Sequence, residues 1–200
     1  MKVIMATGNA NKVREIRQML EGTDIEVLSL KDAGIEAEIE ENGTTFEENA
    51  VIKAEAICAL AKTTVIADDS GLEIDALGKE PGVHSARFMG EDTPYTVKNT
   101  ALLEKLSEVP EEKRTARFVC AVAVARPGAE TRVFRGEFEG RIAHESRGEN
   151  GFGYDPIFYV PEKGCTSAEL LPEEKNAMSH RGKALKKAVQ ELRAQSTASD

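Results

Sequence analysis

The chain has 200 residues, with 35 acidic against 26 basic side chains, a net charge of -9 and a pI near 5.1. Hydrophobic residues make up 40% and mean hydropathy is -0.37, too much apolar surface for a disordered chain. So acidic a surface excludes broad binding of nucleic acid, because phosphate polymers are repelled. The longest apolar stretch, around Val119 to Ala125, falls far short of the ~20 residues a membrane-spanning helix needs. Met1 to Ala6 is too short for a signal-peptide core. The expectation is a soluble, cytoplasmic protein with no membrane partner, folded as one domain over residues 1–195 with a flexible tail at 196–200. Cys58, Cys120 and Cys165 lack CxxC spacing and suit a reducing compartment; the first two, set in apolar runs, read as buried thiols.

Lys2 to Ala6 predicts a short strand, Thr7 to Asn11 a polar turn, and Val13, Ile16, Arg17 and Leu20 a helix that Gly22 closes. Ile25 to Leu30 predicts a second strand. Glu36 to Glu41 alternates as in a strand or a strand-edge loop. Thr45-Phe46-Glu47-Glu48 has capping-box spacing and starts a helix running to Lys62, with Ala50, Ala54, Ile57 and Ala61 on one face. Thr64 to Ala67 predicts a strand ending in Asp68-Asp69-Ser70-Gly71. Thr93-Pro94 suits the cap and first turn of a helix reaching Leu106. Arg117 to Ala125 reads as a central strand buried on both faces, turned by Arg126 to Ala129 into a second strand around Val133 to Phe138. Gly148 to Gly153 is a glycine-rich loop, Ile157 to Val160 another strand, and Ser179 the cap of a last helix with Leu185, Ala188, Val189 and Leu192 in a stripe. Both βα units and a hairpin are present, so the fold class is α/β (or α+β) on one mixed, twisted sheet.

Five clusters carry possible chemistry. Thr7-Gly8-Asn9-Ala10-Asn11-Lys12 lies between strand and helix, where unpaired amides and Lys12 suit an anion; an ordinary βα turn capped by Asn fits the same residues. Asp68-Asp69 at a strand end suits a hard divalent cation, with Asp69 able to accept a proton and Glu38, Glu40 or Glu41 as a further ligand. An Asx turn and a solvated acidic face are the plainer readings. Asp69-Ser70-Gly71 also matches the aspartic-protease triplet, but at least four helical segments oppose that all-β class. Lys53 lies beside the small-residue stripe and either finds a partner or reaches solvent. Gly148 to Pro156 lets backbone approach a flat ligand, with Phe152 to stack on a base and Asp155 to accept from a ring N–H; a glycine-rich hairpin with two core aromatics fits as well. Lys175 and Ser179-His180-Arg181 place cations and a ring donor where the helix dipole disfavours them. His84 and His144 have no comparable neighbours.

Assembled, the chain closely resembles the inosine triphosphate pyrophosphatase family, also called Ham1-like or noncanonical purine nucleoside triphosphatases. The matching pieces are Thr7-Gly8-Asn9-x-x-Lys12, Thr45-Phe46-x-Glu48-Asn49-Ala50 with Lys53, and Ala67-Asp68-Asp69-Ser70-Gly71-Leu72. Pro81 to Phe88, Gly151-Phe152-Gly153-Tyr154-Asp155-Pro156 and Ser179-His180-Arg181-Gly182 complete them, in family order from about Lys2 to Leu192. The resemblance implies a two-lobed fold on a long twisted sheet, a nucleotide cleft between the lobes, and a homodimer. It implies Mg²⁺-dependent hydrolysis of ITP, dITP and XTP to the monophosphate and pyrophosphate, cleansing the nucleotide pool. It further implies that Thr7 to Lys12 hold the triphosphate, and that Asp69 accepts a proton and, with Asp68 and Glu40, binds metal. Ser70 would touch substrate, Lys53 and Lys175 would steady phosphates, and Phe152, Gly153, Tyr154, Asp155, His180 and Arg181 would frame the base.

Elementary chemistry agrees with that assignment. Attack at the α-phosphorus needs activated water, neutralised phosphate and a held leaving group. Hypoxanthine and xanthine present a 6-keto acceptor to Arg181, whereas adenine would leave a buried donor unpaired at ~1–3 kcal/mol. Two rivals remain at this level: a regulatory protein that senses a triphosphate without cleaving it, and a pyrophosphatase for pyrimidine nucleotides.

Overall fold

The structure, a computed structural model, describes residues 1–196. In chain order it forms β1 (Lys2–Met5), α1 (Ala10–Leu20), β2 (Glu26–Ser29), α2 (Phe46–Ala61), β3 (Val65–Ile74) and α3 (Tyr95–Lys105). There follow β4 (Thr115–Ala125), β5 (Arg132–Ile142), β6 (Phe158–Val160), β7 (Cys165–Thr166), α4 (Pro172–Met178) and α5 (His180–Ser196). The strands make one sheet of order β2-β1-β3-β4-β5-β6-β7. β1 pairs in parallel with β2 and β3, while β6 is antiparallel to both β5 and β7, so the sheet is mixed as the sequence implies. Parallel neighbours need crossovers, and α1 and α2 supply them. No helix among the described residues is long and apolar enough to cross a membrane.

Local chemistry explains the elements that matter most. Asn9 caps α1 by accepting from the amides of Asn11 and Lys12, and Val13, Ile16 and Leu20 bury the apolar face. Thr45 caps α2 in a full capping box with Glu48. β4 is buried at every position from Phe118 to Ala125, as a central strand requires.

The chain divides into two units. The first comprises Met1–Asp69, Cys120–Gly136 and the residues from Arg181 onward; the second comprises Ser70–Val119 and Glu137–His180. In the first, Val3, Met5, Ile66 and Val122 pack with Ile16 of α1 and Leu185, Ala188 and Leu192 of α5. In the second, Leu72, Ile74, Phe118, Phe138 and Phe158 pack with Leu102 and Leu106.

Two sequence expectations change, one alternative is decided and one element is added. β3 does not stop at Ala67 but continues to Ile74, so Asp68 and Asp69 sit within a strand rather than in the turn after it. Paired aspartates and a glycine are poor strand formers, but a buried place in the sheet overrides that preference once the charges have partners. Thr93 does not cap α3: Pro94 holds that position and the Thr93 hydroxyl donates to the Met89 carbonyl at 2.6 Å. Residues 35–43 take no regular structure, the loop half of the expectation at Glu36 to Glu41. Finally α4 is an extra helix, signalled by Pro172 at its first turn with Glu173 and Glu174 behind it. α5 ends at Ser196, the first residue of the expected tail, and residues 197–200 lie outside the described residues.

Candidate active site

Successive strand residues face opposite sides of a sheet. Asp68 and Asp69 follow that rule, and each finds its own partners. Asp68 is fully buried. Its Oδ2 lies 3.0 Å from Nζ of Lys12 on α1 and accepts from Nε of Arg181 on α5 at 3.3 Å. Arg181 also donates to Glu15, one further turn along the buried side of α1. Burial pushes the Asp68 carboxyl up, but the cations of Lys12, Arg181 and Lys53 outweigh it and hold it well below the usual carboxylate range. The nearby Cys120 thiol is pushed up to about 12, chiefly by burial and then by Asp68, so it is inert.

Asp69 has a different environment. Its Oδ2 accepts from Nδ2 of Asn49 at 3.1 Å and its Oδ1 lies 3.9 Å from Nζ of Lys53, both on α2. Lys53 is buried. Its ammonium donates to the Asp68 carbonyl at 2.6 Å and pairs with Glu41 at 3.2 Å. Burial raises the Asp69 carboxyl above its ordinary value by more than Lys53, Lys12 and the Asn49 bond lower it, and Glu41 raises it further. Such surroundings strengthen a carboxylate's hold on a proton.

The turn before α1 is closed on itself. Thr7 accepts from the Asn9 amide at 3.1 Å, and Asn9 from the amides of Asn11 at 3.0 Å and Lys12 at 3.3 Å. Gly8 and Ala10 complete this turn at the surface. Glu40 is exposed, and it is the neighbouring Glu41 that reaches Lys53. Among the described residues no group of three or more His, Cys, Asp or Glu side chains is arranged to hold a metal ion. That is compatible with Mg²⁺, which takes one or two carboxylates and fills its shell from substrate and water.

The second unit carries the glycine-rich loop. Asp155 is buried; its Oδ2 accepts from the Phe152 amide at 2.9 Å and from Nζ of Lys175 at 2.6 Å. Lys175 lies over the Phe152 ring, 5.1 Å from its centre. Gly151 has φ +71°, and a Cβ there would come within 2.1 Å of Asp155 Oδ2, so only glycine lets the loop close over this ion pair. Gly153 gives its carbonyl to Asn99. The Tyr154 hydroxyl donates to the Ser85 carbonyl at 2.6 Å, and burial raises its pKa. His180 stacks on Phe118 at 4.9 Å. Ser70, half-buried, opens the second unit's part of β3.

The predicted residues therefore sort into two groups. Thr7 to Lys12, Lys53, Asp68, Asp69 and Arg181 belong to the first unit. Ser70, Phe152 to Asp155, Lys175 and His180 belong to the second.

Comparison with known proteins adds to this geometry. The model of the Ham1 family matches residues 3–191. The chain belongs to the Ham1 family. The dITP/XTP pyrophosphatase of Exiguobacterium sibiricum is 52% identical to it over 187 residues, covering 94% of each chain. That of Geobacillus kaustophilus is 54% identical over 186 residues, covering 93% of this chain and 91% of the relative. The solved structure of the Staphylococcus aureus Ham1 protein superposes with a TM-score of 0.86 at 40% identity, covering 98% of this chain and all of the other.

For this Ham1 chain, motif reading passed over Glu15, quoted Asn49 without giving it a role, and left Glu41 as one of three possible ligands. Glu15 is a buried carboxylate on the Val13–Leu20 stripe, and its one signal is a charge among core positions. Asn49 lies four residues before Lys53, on the same face of α2. Glu41, one of the three candidate ligands with Glu38 and Glu40, is the one that pairs with Lys53.

Proposed function

We propose that this chain hydrolyses noncanonical purine nucleoside triphosphates (dITP, ITP and XTP) to the monophosphate and pyrophosphate. The observation that carries the reading is Asp69, buried on β3 with a raised pKa between Asn49 and Lys53. Relatives at about half identity over nearly the whole chain, themselves dITP/XTP pyrophosphatases, support the substrate class.

In this reading Asp69 takes the proton from the water that attacks the α-phosphorus. Lys53 neutralises phosphate oxygens, and Lys12 and the Thr7–Asn11 turn hold the triphosphate where it displaces Asp68 from Lys12 and the Thr7 and Asn9 side chains from the turn's amides. The donor set fits a hard divalent cation: Asp69 and Glu41 offer carboxylate oxygens that lie 3.9 and 3.2 Å from Nζ of Lys53. We assign the cation, Mg²⁺, to those two rather than to Asp68 or Glu40, because Asp68 is held by Lys12 and Arg181 on the other face of β3. When bound, such an ion neutralises phosphate charge and lowers the pKa of water. Phe152, with Gly153 and Asp155, is assigned to the base, and Ser70 to substrate. His180, Arg181 and Lys175 keep their expected ligand roles only where a nucleotide displaces the partners they hold here.

A homodimer, a cytoplasmic location and one catalytic domain over residues 1–195 complete the proposal, on the family resemblance. The test is a substrate panel with Mg²⁺, assayed for pyrophosphate: ITP, XTP and dITP turn over, while GTP and dTTP lag. No pyrophosphate from ITP would point to the sensor reading, and preference for dTTP to the pyrimidine one. Light scattering on a sizing column tests the dimer.

A further inference from the structure

We infer that Asn49 is a positioning residue that ties the acidic segment, residues 36–43, to Asp69. Asn49 is fully buried on α2, and both ends of its amide are engaged. Its Oδ1 accepts from the Gly43 amide at 2.8 Å, and its Nδ2 donates to Asp69 Oδ2 at 3.1 Å. One side chain thus bridges the loop that carries Glu41 and the strand that carries Asp69. Lys53, four residues on, touches the same two partners with charge.

The loop's attachment is local and specific. Glu48 takes the Thr44 amide at 2.6 Å and the Thr44 hydroxyl at 2.9 Å, so the loop's last residues dock on the first turn of α2. Gly43 has no room for a side chain: a Cβ would stand 2.7 Å from Asn49 Oδ1 and 2.7 Å from Glu48 Cβ. A segment without regular structure has no ladder to fix it. The Asn49 bridge therefore sets where Glu41 stands and how the Asp69 carboxylate is rotated. Only a side chain with a donor and an acceptor does both, and aspartate of the same shape keeps the acceptor alone.

The experiment compares Asn49→Asp and Asn49→Leu with the wild type. Its first arm is hydrogen exchange of the Gly43 amide, read by NMR on protein without nucleotide or metal. Asn49→Leu speeds that exchange by about three- to tenfold, the worth of one hydrogen bond, while Asn49→Asp leaves it protected. Its second arm, which rests on the proposed reaction, is the split between kcat and KM for ITP with Mg²⁺. Both variants lose about ten- to a hundredfold in kcat, as misplaced catalytic groups do, with KM little changed. Unchanged Gly43 exchange in Asn49→Leu, or wild-type kcat in Asn49→Asp, overturns the inference. If Asn49→Leu does not fold, Gly43→Ala takes its place, with the same loss of kcat expected and a wild-type kcat overturning the bridge. Absence of ITP turnover in the wild type would sink the proposed function and leave the exchange arm to decide the bridge.

Discussion

Asp68 and Asp69 are adjacent in sequence and both buried, yet the two faces of β3 treat them oppositely. On one face α1 and α5 bring Lys12 and Arg181 into direct contact with Asp68, and its charge is fixed. On the other, α2 brings one lysine no nearer than 3.9 Å, shared with Glu41, and the Asp69 carboxyl stays above its ordinary value. Burial alone does not decide what a carboxylate can do; the balance of partners does. Over-compensated charge is structural, while under-compensated charge keeps proton affinity for chemistry.

The largest effect that tests this contrast is Asp69→Asn. It should cost about 10²–10⁴-fold in kcat for ITP while nucleotide binding and the folded state persist, as steady-state kinetics and calorimetry would report. Near-normal turnover would remove Asp69 from the reaction. Asp68→Asn should act chiefly on stability. It strips the shared partner from Lys12 and Arg181 and should lower the free energy of unfolding by about 3–5 kcal/mol in urea titrations. Wild-type stability in that variant would mean that Asp68 is not the hub described above.

The pH dependence sharpens the comparison, because the signs differ. The folded pKa of Asp68 lies below the ordinary 3.8. Its stabilisation is complete above that value and is lost as pH falls through the folded one. The folded pKa of Asp69 lies above 3.8, so the folded state holds that proton more tightly and ionising it costs stability as pH rises from 3.8. Urea titrations with chelator present, from about pH 3 to pH 7, should show the wild type gaining on Asp68→Asn and losing ground to Asp69→Asn as pH increases. Parallel curves would break the contrast.

Much of this was legible in the sequence wherever the cause is local. The Thr45 capping box, the Asn9 cap, the apolar run of β4 and the α5 stripe each lie within a few residues of what they specify. The candidate residues were legible as motifs. Their partnerships were not, because Arg181 meets Glu15 across 166 positions and Lys175 meets Asp155 across 20. Nor was the extent of β3: Asp-Asp-Ser-Gly reads as a turn until Lys12, Arg181 and Lys53 arrive from other elements to make burial tolerable. Nor was the pairing of Lys53 with Glu41 rather than its neighbour Glu40, which depends on where the fold sets α2.

The smallest expected effect lies on α2, the element that gives Asp69 its surroundings. The Thr45 hydroxyl accepts from the Glu48 amide at 3.1 Å, and the Glu48 carboxylate accepts from the Thr45 amide at 3.3 Å. Thr45→Ala removes the first bond and should cost about 1 kcal/mol, read in a urea titration. Because Asn49 and Lys53 stand one and two turns inside the helix, fraying at the cap should reach Asn49 before Lys53. Any loss of ITP turnover should therefore resemble a weak Asn49 variant, in kcat rather than KM. A rise in KM with kcat unchanged would instead place the α2 terminus in nucleotide binding.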